Sequence, residues 1–285
     1  MVKKVLAFLT TDDLGDYETD DHLAAAPLRE LGWDVDWCSW RRPTDWSRYA
    51  GVVIRTPWDY IEDEAGFRSV LASIDAATRL ANPLSVVRWN LNKSYLKELI
   101  ARRLPVLPSR WFPELTSAQQ LDALFEHWGV EELVVKPELG ANAYDTYRLK
   151  RGGQPPLDRF RARPCLVQPF ATEILSQGEY SLFYFGGRFS HAIRKLPRAG
   201  DFRVQEEHGG QLNAITPDES LRNTAERLLA AVANPLLYAR VDLVSWANEY
   251  RLMELELVEP SLYLRLDPAA AARFAAAIDR WFPGA

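Results

Sequence analysis

Cysteine is scarce, with only Cys38 and Cys165 in 285 residues. The two fall in separate predicted strands, so a disulfide framework or a thiolate metal site is excluded, and free thiols in a reducing compartment are expected. Histidine is nearly as rare, at four residues; the two late ones, His191 and His208, read as structural or solvated side chains rather than general bases. No Lys/Arg block extends beyond pairs such as Arg102-Arg103, and the formal net charge is −5, which argues against a nucleic-acid partner. Long apolar runs are also missing. After Met1-Val-Lys-Lys only six apolar or small residues precede Thr11 and Asp12, too few for a signal sequence or a membrane span, so a cytoplasmic location away from membranes is expected. Internal repeats and low-complexity linkers are absent as well.

What remains is an ordinary globular composition, 47% apolar and 26% charged, long enough for two or three subdomains. Of the ten tryptophans, five precede residue 60 and read as packing residues. Val5–Leu9, Asp34–Trp40 and Gly51–Arg55 are predicted strands at α/β spacing, with a helix from a cap at Asp20-Asp21 to Leu31 and another from Glu62 to Ala77. A short fourth strand, Arg79–Asn82, stops at Pro83. Functional loops of parallel sheets leave from the carboxyl ends of strands, so Arg55, Asp59 and the loop near Asp12 are candidates for gripping a polar substrate. The alternative is a surface ion pair between Arg55 and Asp59.

A different unit begins near Trp89. It reads as a helix from Asn92 to Arg103, a strand Ser109–Phe112, a helix Ser117–Trp128, the strand Glu132–Pro137, a turn-rich Glu138-Leu-Gly-Ala-Asn-Ala, a returning strand Tyr144–Leu149, and Cys165–Phe170. A lysine closing an apolar strand before a glycine turn, as Lys136 does, suits a hairpin laid over phosphates. Tyr180–Phe185 and Phe189–Ile193 follow as strands around a tight turn at Gly186-Gly187. Asp218–Val232 and Pro268–Trp281 are amphipathic helices, the latter with Phe274 and Ile278 inward.

The densest charge pattern comes late. Arg240-Val-Asp242-Leu-Val and Leu252-Met-Glu-Leu-Glu-Leu-Val-Glu-Pro260 read as two strands joined by a turn at Asn248-Glu249. By strand alternation Arg240 and Asp242 share one face, while Glu254 and Glu256 share another. Carboxylates at that density repel unless a cation lies between them, and hard oxygen ligands suit magnesium. The alternative is a solvated face on which Glu254 and Glu256 pair with Arg251 or Arg265. Glu259 is a weaker ligand candidate, because its odd spacing from Glu256 turns it to the other face unless the chain bends at Pro260.

Taken in order, Lys93, Val134-Val-Lys136-Pro, Val167-Gln-Pro-Phe170, Glu179, Arg240-x-Asp242 and Glu254-x-Glu256 resemble the ATP-grasp ligases. The stretch from Glu179 through Arg194-Lys195 and Gly200-Asp-Phe-Arg203 to Gly209-Gly210 is similar to the ribosomal-protein glutamate ligases. Glutathione synthetases, D-alanine ligases and the ligases that close O-ureido-D-serine to D-cycloserine share the wider pattern. The resemblance implies an ATP-grasp fold of mixed α+β and α/β class: an N-terminal open α/β domain (1–83), a connecting helix (84–104), a small lid (105–170) and a C-terminal antiparallel α+β domain (171–285).

The resemblance also implies roles. Lys93, Lys136, Asn142 and Lys195 would contact ATP phosphates, Gln168, Pro169 and Phe170 the adenine, and Glu179 the ribose. Asp242, Glu254 and Glu256 would hold magnesium or manganese. Arg194 and Arg240 would stabilise the transferring phosphoryl group, and Arg203, with Arg55 and Asp59, would meet an amino-acid-like substrate. The reaction implied is carboxylate–amine ligation through an acyl phosphate, and the family implies a homodimer. A kinase that stops at phosphoryl transfer and a nucleotide-binding regulator remain as alternatives. Two departures stand out: the lid loop has a single glycine, Gly140, and Glu256 occupies a position where relatives usually carry asparagine.

Overall fold

The computed structural model describes residues 4–15, 19–140 and 143–283. Strands β1 (Lys4–Thr10), β2 (Trp33–Ser39), β3 (Gly51–Thr56) and β4 (Leu80–Ala81) make a parallel sheet in the order β2-β1-β3-β4. Every residue of β3 is buried, as a central parallel strand covered on both faces requires. Helix α1 (Ala25–Glu30) follows a single tight turn, Asp21–Ala24, and α2 (Glu64–Ala77) buries Phe67, Leu71 and Ile74 behind an Asp63 cap on the Gly66 amide. The expected capping by Asp20 and Asp21 does not occur, because Arg265 and Arg55 take their carboxylates. Pro27 lies in the first turn of α1, where its missing N–H is no loss.

Two short helices, α3 (Leu84–Asn90) and α4 (Tyr95–Ala101), connect this sheet to the next, where the sequence suggested one helix from Asn92. The second sheet takes β5 (Arg110–Phe112), β6 (Glu132–Pro137), β7 (Tyr147–Lys150) and β8 (Cys165–Pro169) in the antiparallel order β5-β8-β6-β7. Helices α5 (Gln119–Trp128) and α6 (Leu157–Phe160) cover one face, burying Leu121, Phe125 and Phe160 against Leu133, Val135 and Val167.

The third sheet is antiparallel and runs β11-β10-β9-β12-β13, from β9 (Glu179–Phe185), β10 (Arg188–Leu196), β11 (Gln211–Ile215), β12 (Tyr238–Trp246) and β13 (Glu249–Glu256). Strand β11 has no counterpart among the predicted strands; it is a five-residue edge strand in which no residue is buried. Gly186 and Gly187 make the β9–β10 turn with φ of +56° and +73°, a conformation that favours glycine at both positions. Helix α7 (Glu219–Leu229) packs Leu221, Ala225 and Leu228 on one face of this sheet. Helix α8 (Ala270–Trp281) packs Phe274 and Ile278 on the other, in one core with Phe8, Leu28 and Trp33 of the first sheet region.

Buried amides lock the units together. Asn82 donates to the Tyr238 and Leu257 carbonyls at 2.9 and 2.7 Å and accepts from the Leu237 amide at 2.7 Å. Asn90 exchanges two bonds of 2.8 Å with the backbone of Leu255 and Leu257, and the Tyr95 hydroxyl accepts from the Leu255 amide at 2.7 Å. These bonds fix the end of β13, the strand that carries Glu254 and Glu256. Both cysteines are free. Among the described residues no helix is long and apolar enough to cross a membrane.

His191 bears on stability. It is 5% exposed, stacked on Phe183 with centroids 4.2 Å apart, with its ring nitrogens against the Leu262 carbonyl at 3.0 Å and the Ser190 hydroxyl at 2.9 Å. Burial, with Arg273 nearby, pushes its pKa down to about 4. The folded value lies below the unfolded one, so the unfolded chain binds the proton more readily. The contribution is therefore complete above pH 6.5 and is lost as pH falls toward 4. Between pH 7 and 5 the wild type should lose about 2 kcal/mol more stability than His191→Gln in denaturant titrations. Equal losses would mean that His191 is not held neutral.

Candidate active site

A cavity lies where the second and third sheets meet, with the loops after β3 and β13 closing one end. Its floor is the face of the third sheet on which Lys195, Glu179, Arg240, Glu254 and Glu256 line the cavity, with Asp242 buried on the same face between them. Its roof is the second sheet with Lys136, Gln168, Pro169 and Phe170.

The floor depends on two one-residue irregularities. Counting from the Ala247-Asn248 turn, whose φ values are +51° and +62°, the β12–β13 register pairs Trp246 with Glu249 and Leu243 with Leu252. Continued unchanged, it would put Met253 opposite Asp242 and send Glu254 to the far face. The register instead shifts between Asp242 and Leu243, Met253 becomes the extra residue, and Asp242 pairs with Glu254 and Arg240 with Glu256. All four charged side chains therefore share one face, which corrects the expectation of two. A matching shift at Ser190 pairs Lys195, not Arg194, with Glu179.

Arg194 is corrected for the same reason. It pairs with Tyr180 on the opposite face of the sheet and does not line the cavity, and its buried Nε has no hydrogen-bond partner. Lys195 takes the place in the site. Its ammonium lies 2.9 Å from Glu179 and 3.9 Å from Asp242. Burial and Arg240 oppose its charge, and Asp242 with Glu179 outweighs them, holding its pKa above the ordinary value.

Arg240 bonds Asp242 through Nε at 3.0 Å and Nη2 at 2.9 Å, pairs with Glu256, and donates to the Ser261 carbonyl at 3.2 Å. The Ser181 hydroxyl donates to Asp242 at 2.5 Å. Lys93 reaches Glu254 at 2.9 Å and the Gly140 carbonyl at 2.6 Å, tying the floor to the lid loop, while Lys136 stands 4.0 Å from Glu254. Burial, with Lys93 close by, lowers the Lys136 pKa. Glu256 is raised to about 8, by burial and by Asp242 and Glu254 acting against Arg240.

Of the expected metal ligands, Asp242, Glu254 and Glu256 are brought together by register, but the protein's own cations occupy them. Among the described residues no group of three or more His, Cys, Asp or Glu side chains is arranged so that it could hold a metal ion as it stands. The fit to a hard divalent cation is one of donor type and facing positions: three carboxylates on adjacent strands, one of them under-neutralised at Glu256.

Other expectations divide. Gln168, Pro169 and Phe170 line the cavity; the Gln168 amide is anchored on the Ser109 hydroxyl at 2.9 Å, and Arg148 stands 4.0 Å over the Phe170 ring. Arg203 lines it too, paired with Asp201 at 2.9 Å. Asn142 lies outside the described residues. Arg55 and Asp59 are not brought to the cavity. Arg55 is 0% exposed and bonds Asp21 at 2.9 Å, and Asp59 is taken by Arg41 and by Trp40 at 2.6 Å. The expected Arg55–Asp59 pair is replaced by these two, and Asp12 pairs with Arg42 at 2.5 Å beside a separate groove.

Three contributors went unmarked in the sequence: Ser181, Tyr60 and Trp58. The first is visible only as the alternate residue to Glu179, and the others follow the strand-end signal at Arg55. Strand β13 ends at Glu256, so alternation no longer governs Glu259; the chain bends, and its carboxyl lines the cavity against the Tyr60 hydroxyl. Burial raises it to about 7.

Residues 6–82 match the family described as D-cycloserine synthetase DcsG, N-terminal domain. The cycloserine biosynthesis protein DcsG of Streptomyces lavendulae is 36% identical over 282 residues, covering 92% of this chain and 93% of that protein. The crystal structure of D-cycloserine synthetase DcsG superposes with a TM-score of 0.84 at 30% identity, over 98% of this chain and 100% of that one. The ATP-grasp ligase PsnB, complexed with minimal precursor, magnesium and ADP, shares the fold at a TM-score of 0.66 and 16% identity, covering 98% of this chain and 97% of that one.

Proposed function

The chain belongs to the ATP-grasp ligases, in the family of the cycloserine biosynthesis protein DcsG, and on that premise we propose how its cavity carries out ATP-dependent carboxylate–amine ligation on a small substrate. The observation that carries the proposal is the interleaving of Lys93, Lys136, Lys195 and Arg240 with Asp242, Glu254 and Glu256 on one cavity.

The residues that would hold ATP line the cavity: Phe170, Val134 and Met253 with the Gln168–Phe170 backbone would receive the adenine, and Glu179 the ribose. Lys93 and Lys136 receive the phosphates. Magnesium, held by Asp242, Glu254 and Glu256, would supply charge neutralisation on the phosphate oxygens. Arg240 and Lys195 offset the charge that builds as a substrate carboxylate oxygen bonds the γ-phosphorus and ADP departs. An amine nitrogen then bonds the activated carbonyl carbon, phosphate leaves, and the nitrogen gives up a proton. Arg203 and the Phe202–Gln205 segment cover this end, and excluding water protects an intermediate that hydrolyses readily.

The test is phosphate release from ATP and magnesium across D- and L-amino acids, including O-ureido-D-serine and D-serine, with mass spectrometry of the products. A condensation product formed together with phosphate is expected, one water lighter than its precursors; from O-ureido-D-serine the ring so formed gives D-cycloserine on further loss of its carbamoyl group. In Asp242→Asn, turnover should drop by about 10²–10³-fold with cooperative unfolding retained. A stable phosphorylated product with no condensation would favour a kinase instead.

A further inference from the structure

One end of the cavity is not used by the phosphate chemistry. Its wall comes from the loops after β3 and β13, through Trp58, Tyr60, Glu259 and Ser261. The two loops are tied by Trp58 Nε1, which donates to the Glu259 carbonyl at 3.0 Å, and the Tyr60 side chain stands against the Glu259 carboxyl. Tyr60 cannot swing away, because it is 3% exposed and its ring stacks on Phe67 with centroids 5.0 Å apart. Glu259 is thus held in place by uncharged groups.

That separates it from the carboxylates of the floor. Glu179, Asp242, Glu254 and Glu256 each have an ammonium or guanidinium partner. Among the described residues Glu259 has no ion pair. A carboxylate facing a cavity without a counter-ion is unfavourable until something cationic arrives with N–H donors. Lys93 and Arg240 act on Glu259 only from beyond ion-pair distance, so a second carboxylate brought here would be repelled by it.

Resting on the ligase reading above, we propose that Glu259 determines substrate specificity: braced by Tyr60 and Trp58, it receives the cationic amino group of a small amino acid whose reacting end faces Arg240. The substrate class is then an amino acid with an uncharged side chain. Dicarboxylic amino acids and acids lacking the amino group are excluded.

The experiment uses the full chain with ATP and magnesium. Wild type, Glu259→Gln, Glu259→Asp and Tyr60→Phe are assayed with O-ureido-D-serine and D-serine, each against its des-amino counterpart, and with D-glutamate. In wild type the amino acids should be turned over, and the des-amino acids and D-glutamate should not. Glu259→Gln should raise the KM for the amino acid about 10- to 100-fold, the loss of one hydrogen bond to a charged group, with the KM for ATP unchanged. Glu259→Asp should recover part of that loss, and Tyr60→Phe should raise KM by a smaller factor. The unchanged ATP KM shows that the variants are folded. Equal use of des-amino acids, or an unaltered amino-acid KM in Glu259→Gln, overturns the assignment. No phosphate release by wild type with any amino acid, despite ATP binding, would sink the ligase reading and this assignment with it.

Discussion

Lys195→Met should lower turnover about 10²–10³-fold, whereas Arg194→Met, one residue away, should change it by less than about threefold. The two side chains leave β10 on opposite faces of the sheet. Lys195 is 2% exposed and, among the described residues, is the only cation ion-paired with both Glu179 and Asp242. Removing its ammonium leaves two buried carboxylates facing each other and takes a positive charge from the transferring phosphoryl group. Arg194 has a buried Nε without a partner, so methionine removes an unsatisfied donor and should leave stability unchanged or higher. Steady-state kinetics with a parallel denaturant titration separates the cases, and Lys195→Arg should restore part of the rate by restoring charge. Comparable losses from both methionine variants would show that Arg194 reaches the site.

The same pair shows what strand alternation can carry. Both sheet hairpins were legible, Gly186-Gly187 as a turn and Arg240–Val244 with Leu252–Glu256 as paired strands, because their apolar residues alternate and their turns carry short, glycine- or asparagine-containing segments. From those turns alone, the register would face Arg194 toward Glu179 and Met253 toward Asp242. Each strand then inserts one residue, Ser190 in β10 and Met253 in β13, and every side chain beyond changes face. A bulge leaves no mark in hydrophobic pattern, since it is set by what the opposite face must bury. The charge pattern and the resemblance supplied the residues, Glu254 and Glu256 among them, and only the register decides which of them meet.

Long-range polar contacts were illegible for a different reason. Asn82 reads as the end of the fourth predicted strand and Asn90 carries no signal of its own, yet each satisfies backbone groups more than 150 positions away, at Tyr238, Leu255 and Leu257. Arg55 was read as a substrate ligand because it closes a parallel strand. The physical premise holds at the neighbouring loop, where Trp58 and Tyr60 do reach the cavity. What it cannot supply is the partner, Asp21, from 34 residues earlier, whose carboxylate captures the guanidinium inside the core.

Arg55→Met should therefore act on stability, destabilising the fold by about 3–5 kcal/mol, the usual consequence of breaking a buried ion pair from one side. Arg55 is fully buried, donates to Asp21 at 2.9 Å and to the Ile54 and Pro260 carbonyls at 3.2 and 2.7 Å, and lies 5.2 Å from the Tyr238 ring centre. Without it Asp21 stays buried with no cation, and its carboxyl, already pushed up by burial with Oδ2 unpartnered, becomes the costliest group in the core. The Pro260 carbonyl is released as well, and that carbonyl follows Glu259 directly. Pairing the change with Asp21→Leu should recover most of the loss, because two apolar side chains need no counter-charge. Denaturant midpoints for the two single variants and the double variant measure the coupling. A double variant as unstable as Arg55→Met would mean that the carbonyl bonds, not the ion pair, hold this corner of the core. If the pair is what matters, the double variant should also keep its KM for amino acid near that of wild type, since Trp58 and Tyr60 still anchor Glu259 from the other side.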